Sequence, residues 1–323
     1  MIHRAAAVLG LGIVLAGGCV GFSTDSSAPI DVLAPGTWTT LAPMPTARQE
    51  VAVAALDNRV YVIGGFGPGG EPVATVEVYD PASNRWEARA PLPVALHHPA
   101  AAVAAGRLLV IGGYTGGRLS WTASDAVLQY DADHNTWTTR APMSEPRGAL
   151  AVAVLNDRVH AVGGSAKHVS QMHEVYDPAT NQWALAAAMP TARDHLAAVA
   201  FQGRLWALGG RSSFMGTQYS VVEVYDPGTD GWSPGAPLPD GRGGLAAVAL
   251  SDRILVFGGE KPFRIFNATE MYEIAGSRWI AKTPMPTPRH GIGAVAVAGR
   301  VYVPGGGREP GLATTDVNEA YTP

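Results

Sequence analysis

From Trp38 to Pro323 the chain alternates short apolar runs with small polar turns, and the pattern recurs six times. Each copy opens on a run of small apolar residues, as in Val51–Ala55, Ala197–Ala200 and Gly293–Val297. A two-residue turn follows, such as Asp57-Asn58, Asn156-Asp157, Gln202-Gly203 or Ser251-Asp252, built of residues that tolerate positive φ. The second run is bulkier, as in Val60–Ile63, and ends in Gly-Gly; the third is Val76–Asp80 and its equivalents. A turn such as Pro81–Asn84 leads to a fourth run carrying Trp. Apolar runs this short, bounded by turn residues, predict strands rather than helices, so each copy is a four-stranded antiparallel unit.

The period is read from three landmarks. Gly-Gly pairs stand at Gly64, Gly112, Gly163, Gly209, Gly258 and Gly305, in steps of 48, 51, 46, 49 and 47 residues. Trp38, Trp86, Trp137, Trp183, Trp232 and Trp279 keep nearly the same rhythm, as do Tyr79, Tyr130, Tyr176, Tyr225, Tyr272 and Tyr321. Gly-Gly, then Tyr, then Trp at a period near fifty resembles the Kelch family over the whole stretch. That resemblance implies an all-β fold, a six-bladed Kelch β-propeller with four antiparallel strands per blade. The chain ends just after a third strand, and Trp38–Leu41 is a fourth strand with no preceding three. The N-terminal outer strand is therefore expected to close the ring and remove open sheet edges.

Strand alternation sorts the loops onto two faces. Turns between strands one and two, and three and four, are nearly invariant and carry Arg59, Arg107, Arg158, Arg204, Arg253 and Arg300 opposite the Asp of Tyr-Asp-Pro turns. Such regular opposite charges predict a solvated structural face. Loops after Gly-Gly do not repeat, and variable loops on a rigid scaffold are where binding is expected. Their aromatic residues Tyr114, Trp121, Phe214, Tyr219 and Phe263 are candidate ligand contacts.

Sixteen residues before Gly-Gly stand Arg48, Leu96, Arg147, Arg193, Arg242 and Arg289. One reading is an arginine rim at the channel mouth that attracts anionic ligands. A competing reading comes from the residues two before each repeat Tyr: Glu77, Leu128, Glu174, Glu223, Glu270 and Glu319. The second copy alone lacks both the Arg and the Glu, which favours an Arg–Glu pair inside each blade. His98 and His195 occupy equal repeat positions, with His290 one residue earlier, and all three are candidate ligand-binding residues. Coming from alternate blades, they are expected to lie too far apart to share an ion, so no metal and no cofactor is expected.

Composition narrows the partners. The chain has 323 residues, 47% of them hydrophobic, and a net charge of −4 with 23 basic and 27 acidic residues. Binding to nucleic acid would need a strongly basic face, so none is expected. Residues 1–18, cationic then apolar, predict a signal peptide. Cys19, the one cysteine, follows small residues and resembles the lipidation site of bacterial lipoproteins; residues 19–36 form a Ser/Gly/Pro-rich tether ahead of the propeller at 37–323. This implies export and a cell-envelope location, with membrane contact only through a lipid at Cys19.

No nucleophile–base arrangement, nucleotide loop or zinc motif is present. Among Kelch enzymes, galactose oxidase needs a Tyr–Cys crosslink that a lone Cys19 cannot supply. The iron-binding specifier run Glu-x-x-x-Asp-x-x-x-His is missing as well. A distant resemblance to N-acetylneuraminate epimerase lies in Glu260-Lys261-Pro262-Phe263-Arg264, with shorter spacing than that family's motif. The leading expectation is a binding module for a protein, peptide or glycan. The alternative is a sugar mutarotase or epimerase with Glu260 and Arg264 as its catalytic candidates.

Overall fold

A computed structural model describes residues 34–117 and 120–323. The expected signal, the lipidation site at Cys19 and most of the tether lie outside those residues. Six four-stranded antiparallel sheets form the blades. Blade one, for example, runs Ala52–Leu56, Arg59–Ile63, Val76–Asp80 and Arg85–Arg89. Blade six takes Val295–Val297, Arg300–Pro304 and Asn318–Thr322 from the C-terminal end and Thr37–Thr40 as its outer strand. Trp38 pairs with Tyr321 across that closure, and its indole N–H donates to the Thr283 carbonyl at 2.9 Å.

Side-chain size explains the layering. Inner strands are Ala/Val-rich because six of them converge on one axis, leaving a channel lined by residues such as Ala54, Ala102, Ala198 and Ala247. Second strands carry the bulk: Val62, Ile63, Leu108, Val110, Leu208 and Val256 are fully buried between blades. Each repeat Tyr sits against its own blade's Trp at centroid distances of 4.9–5.3 Å. The Trp N–H then crosses to a backbone carbonyl at the preceding blade's end, as in Trp86 to Ala42 and Trp137 to Ala90.

The Gly-Gly pairs are the joints between blades at the variable face. Both glycines of each pair have positive φ, for example 62° and 98° at Gly64 and Gly65. A Cβ on Gly112 or Gly258 would lie 2.3 Å from the next blade's Arg147 or Arg289 carbonyl. The second glycine donates to that same carbonyl, Gly113 to Arg147 at 3.0 Å and Gly259 to Arg289 at 2.9 Å. Only glycine combines this φ with so close an approach.

Candidate functional site

The segment that enters each inner strand builds the mouth of the channel. Its third residue is Glu50, His98, Ala149, His195, Gly244 or Gly291, and all six have φ between 51° and 63°. Their backbones close a ring: Glu50 N–H donates to Gly291 O, Gly291 to Gly244, Gly244 to His195, His195 to Ala149, Ala149 to His98, and His98 to Glu50, at 2.8–3.1 Å. Holding Glu, His and Ala in the left-handed region costs on the order of 1 kcal/mol each, which the ring's hydrogen bonds sustain. Around this ring, the middle residue of each segment bridges to the residue after Gly-Gly: Gln49 with Phe66, His97 with Tyr114, Gly148 with Ser165, Asp194 with Arg211, Gly243 with Glu260, and His290 with Gly307. Backbone positions thus repeat six times while the side chains do not.

Over this floor opens a pocket of about 530 Å³, walled by Phe66, Trp121 and Phe214 and rimmed by Lys167, His168 and Leu312. Trp121 and Phe214 are 48% and 39% exposed. The floor is a buried polar network. Arg211 donates to Glu260 Oε1 at 2.8 Å and faces Asp194 Oδ1 at 3.7 Å. Asp194 Oδ1 meets His195 Nδ1 at 2.8 Å, while its other oxygen accepts from Ser165 Oγ at 3.0 Å. Glu50 lies 3.3 Å from His98 Nε2 and 3.4 Å from His290 Nδ1, and His290 Nδ1 is also 3.4 Å from Glu260 Oε1.

Electrostatics follow from this packing. Burial disfavours the Glu50 carboxylate, yet the imidazoles of His98, His290 and His195 outweigh it and hold its pKa well below the ordinary range. Burial also lowers His290, but the Glu50 and Glu260 carboxylates raise it above its usual value. His290 is therefore drawn toward its charged form by the two carboxyl groups it stands between. His98 goes the other way: burial pushes it well below 6.5, and the Glu50 carboxylate only partly opposes this. Burial likewise opposes Asp194, while His195 and Arg211 keep it ionised.

The sequence-predicted residues separate into those at this pocket and those elsewhere. His98, His195, His290, Glu260, Trp121 and Phe214 line it. Tyr114 is a packing residue: it is buried, and its hydroxyl bonds Ser165 O at 2.9 Å. Tyr219 lies outside the pocket and Phe263 is 85% exposed away from it. Arg264 covers the Phe266 ring at 4.4 Å, so Arg211 from the neighbouring blade is the partner of Glu260 instead.

The arginine rim is corrected. Arg48, Arg147, Arg193, Arg242 and Arg289 are at most 1% exposed and turn back into their own blades. Each pairs with its blade's glutamate, Glu77, Glu174, Glu223, Glu270 or Glu319, at 2.5–2.8 Å. Arg147 also donates to the Gly163 carbonyl at 2.7 Å, and Arg289 to Gly305 at 2.8 Å. The carbonyls at Gly-Gly and the third-strand carboxylate together draw the guanidinium inward. In blade two, Leu96 and Leu128 belong to one buried apolar cluster.

The distance expected between histidines of alternate blades is corrected too. Ring closure draws the inner backbone so tight that His98 and His195 lie 4.9 Å apart between ring centroids, with only Ala149 between them in the ring. Three floor residues escaped sequence reading. Glu50 shares the repeat position of His98 and His195, and Arg211 shares that of Glu260, so repeat alignment carried the signal. Asp194 adjoins His195 in sequence, but its role depends on the neighbouring blade.

Comparison with known proteins agrees with this architecture. The chain matches the KLHDC2/KLHL20/DRC7 Kelch-repeats domain over residues 3–210 and the Kelch motif over residues 192–239. Mouse Kelch-like protein 35 is 34% identical over 140 residues, 43% of this chain and 23% of that protein. Zebrafish (Danio rerio) Kelch-like protein 26 is 27% identical over 138 residues, 43% of this chain and 22% of that protein. The matched stretch spans less than a quarter of either relative. The solved structure of YjhT superposes with a TM-score of 0.75 over 86% of this chain and 95% of that one, at 18% identity, a likeness of fold.

Proposed function

This chain belongs to the Kelch-repeat family, and from that premise we propose that it is an extracytoplasmic recognition module binding the end of a glycan or peptide in the mouth pocket. One observation carries the reading: side chains that differ from blade to blade assemble an aromatic-walled, polar-floored pocket on a backbone that otherwise repeats. Its volume of about 530 Å³ falls in the range of specific small-ligand sites. Trp121 and Phe214 offer stacking faces, and the carboxylate, imidazole and guanidinium groups below offer both acceptors and donors for hydroxyls or a chain terminus.

The test is a glycan and peptide array screened with the full chain, followed by calorimetry on the hits. Trp121→Ala should weaken a true ligand by about three- to tenfold, as loss of an aromatic contact does. Hits held equally well by Trp121→Ala and Phe214→Ala variants would refute the pocket as the site.

A second reading rests on Glu260. It is 1% exposed, one oxygen is held by Arg211, and Oε2 has no protein partner. A buried carboxylate with one free oxygen over a pocket suits proton transfer to a sugar, the mutarotase chemistry. Anomer exchange of sialic acid and hexoses followed by NMR checks it: catalysis abolished by Glu260→Gln supports the enzyme, and background rates exclude it.

A further inference from the structure

We propose that Glu50, His98 and His195 form a binding site for one divalent transition-metal ion of the zinc class, at the floor of the mouth pocket. Each residue offers one ligand atom, and these atoms lie within 4.8 Å of one another, all three residues being buried. Two imidazoles and a carboxylate suit a borderline ion such as Zn²⁺, and not the all-oxygen shells of Ca²⁺ or Mg²⁺. Four-coordinate zinc with bonds of about 2.0–2.1 Å sets its ligand atoms about 3.3–3.4 Å apart. Glu50 Oε2 and His98 Nε2 already stand at 3.3 Å. A modest rotation of His195 completes the set.

The groups behind the ligands point the same way. Metal-bound histidines usually have their second nitrogen fixed by a carboxylate or another hydrogen-bonding group. Asp194 holds His195 Nδ1 at 2.8 Å, which leaves Nε2 as the free nitrogen, buried and without a partner. His97 Nδ1 meets His98 Nδ1 at 2.6 Å and turns the His98 Nε2 toward Glu50. An apolar core position would not leave a buried imidazole nitrogen unpaired at such cost. The ring geometry adds a reason of its own. Three left-handed backbone positions hold Glu or His although the equivalent Gly244 and Gly291 show that glycine fits the ring.

Three protein ligands leave a coordination position open, and all three residues line the pocket. The ion would there meet the carboxylate or hydroxyls of whatever enters. The inference stands apart from the ligand reading, because metal binding is measured with no ligand present.

The experiment uses the full chain carrying Cys19→Ser, so that the lone thiol does not compete, after stripping with chelator. Zn²⁺ titration by calorimetry should give one equivalent per chain, and Co²⁺ should give the visible absorption of a low-coordinate nitrogen/oxygen site. His98→Ala and His195→Ala should each weaken binding at least a hundredfold, and Asp194→Asn by about 10–100-fold through loss of orientation. His134→Ala, on the opposite face and paired with Asp131, should change nothing. Melting with and without Zn²⁺ gives a second readout: the ion should raise the wild-type midpoint and leave the His98→Ala/His195→Ala variant unmoved. Absence of stoichiometric binding, or binding that survives both histidine changes, overturns the proposal.

Discussion

Replacing Arg147 with alanine tests how the blades are held at the variable face. The guanidinium and the Glu174 carboxylate are each 1% exposed. Arg147 donates to Glu174 Oε2 at 2.5 Å and to the Gly163 carbonyl at 2.7 Å, while Glu174 Oε1 accepts from the Ser144 N–H at 2.9 Å. Alanine leaves a buried carboxylate with one backbone partner and strips the carbonyl of its donor. Removing one member of a buried pair costs about 3–5 kcal/mol. Unfolding entropy of about 2.1 cal/mol/K per residue over the roughly 290 described residues converts that into a melting shift of about 5–8 °C. The double change Arg147→Leu/Glu174→Leu copies blade two, where Leu96 and Leu128 pack in the apolar core. It should recover at least half of the loss, because a buried pair often contributes little net stability over an apolar one. Thermal melts of wild type, both single variants and the double variant decide the matter. A shift below 1 °C for Arg147→Ala, or a double variant as unstable as the sum of the singles, refutes the reasoning.

Four further outcomes are expected. Deleting residues 37–41 should expose the Asn318–Thr322 edge and promote aggregation measurable by light scattering; Trp38→Ala, removing a half-buried indole, should cost roughly 2–3 kcal/mol in denaturant melts. His160 Nδ1 and His173 Nε2 lie 2.8 Å apart, and burial lowers both imidazoles to about 4 from 6.5. Because the unfolded chain takes up protons first, this pair's contribution is full above pH 7 and is lost as pH falls toward 4, on the order of 2 kcal/mol per imidazole at pH 5. Melting of His160→Leu/His173→Leu should accordingly depend less on pH than the wild type over that range, and parallel curves would contradict it. Cys19→Ser should move the protein from the membrane fraction to the soluble one without changing the propeller's circular dichroism; a wild-type protein already soluble counts against the anchor.

The blade count, strand order and point of closure were legible in the sequence because each depends on local pattern. Gly-Gly, Tyr and Trp mark positions within one blade, and repetition averages out the ambiguity of any single short strand. Even the Arg–Glu pairing was visible, through the joint loss at Leu96 and Leu128. Its direction was not: whether Arg147 faces the channel or its own blade depends on the Gly163 carbonyl and the Glu174 carboxylate meeting there in space. Repeat position and motif singled out His98, His195, His290 and Glu260, but their meeting in one pocket floor belongs to tertiary structure. Glu50, His98, His195 and Glu260 come from four blades, and Glu50 N–H reaches Gly291 O only because the ring closes. Sequence periodicity tells which residues are equivalent by rotation, but not the radius at which they stand. Six hydrogen bonds between left-handed residues set that radius, and so bring side chains about fifty and a hundred residues apart into one site.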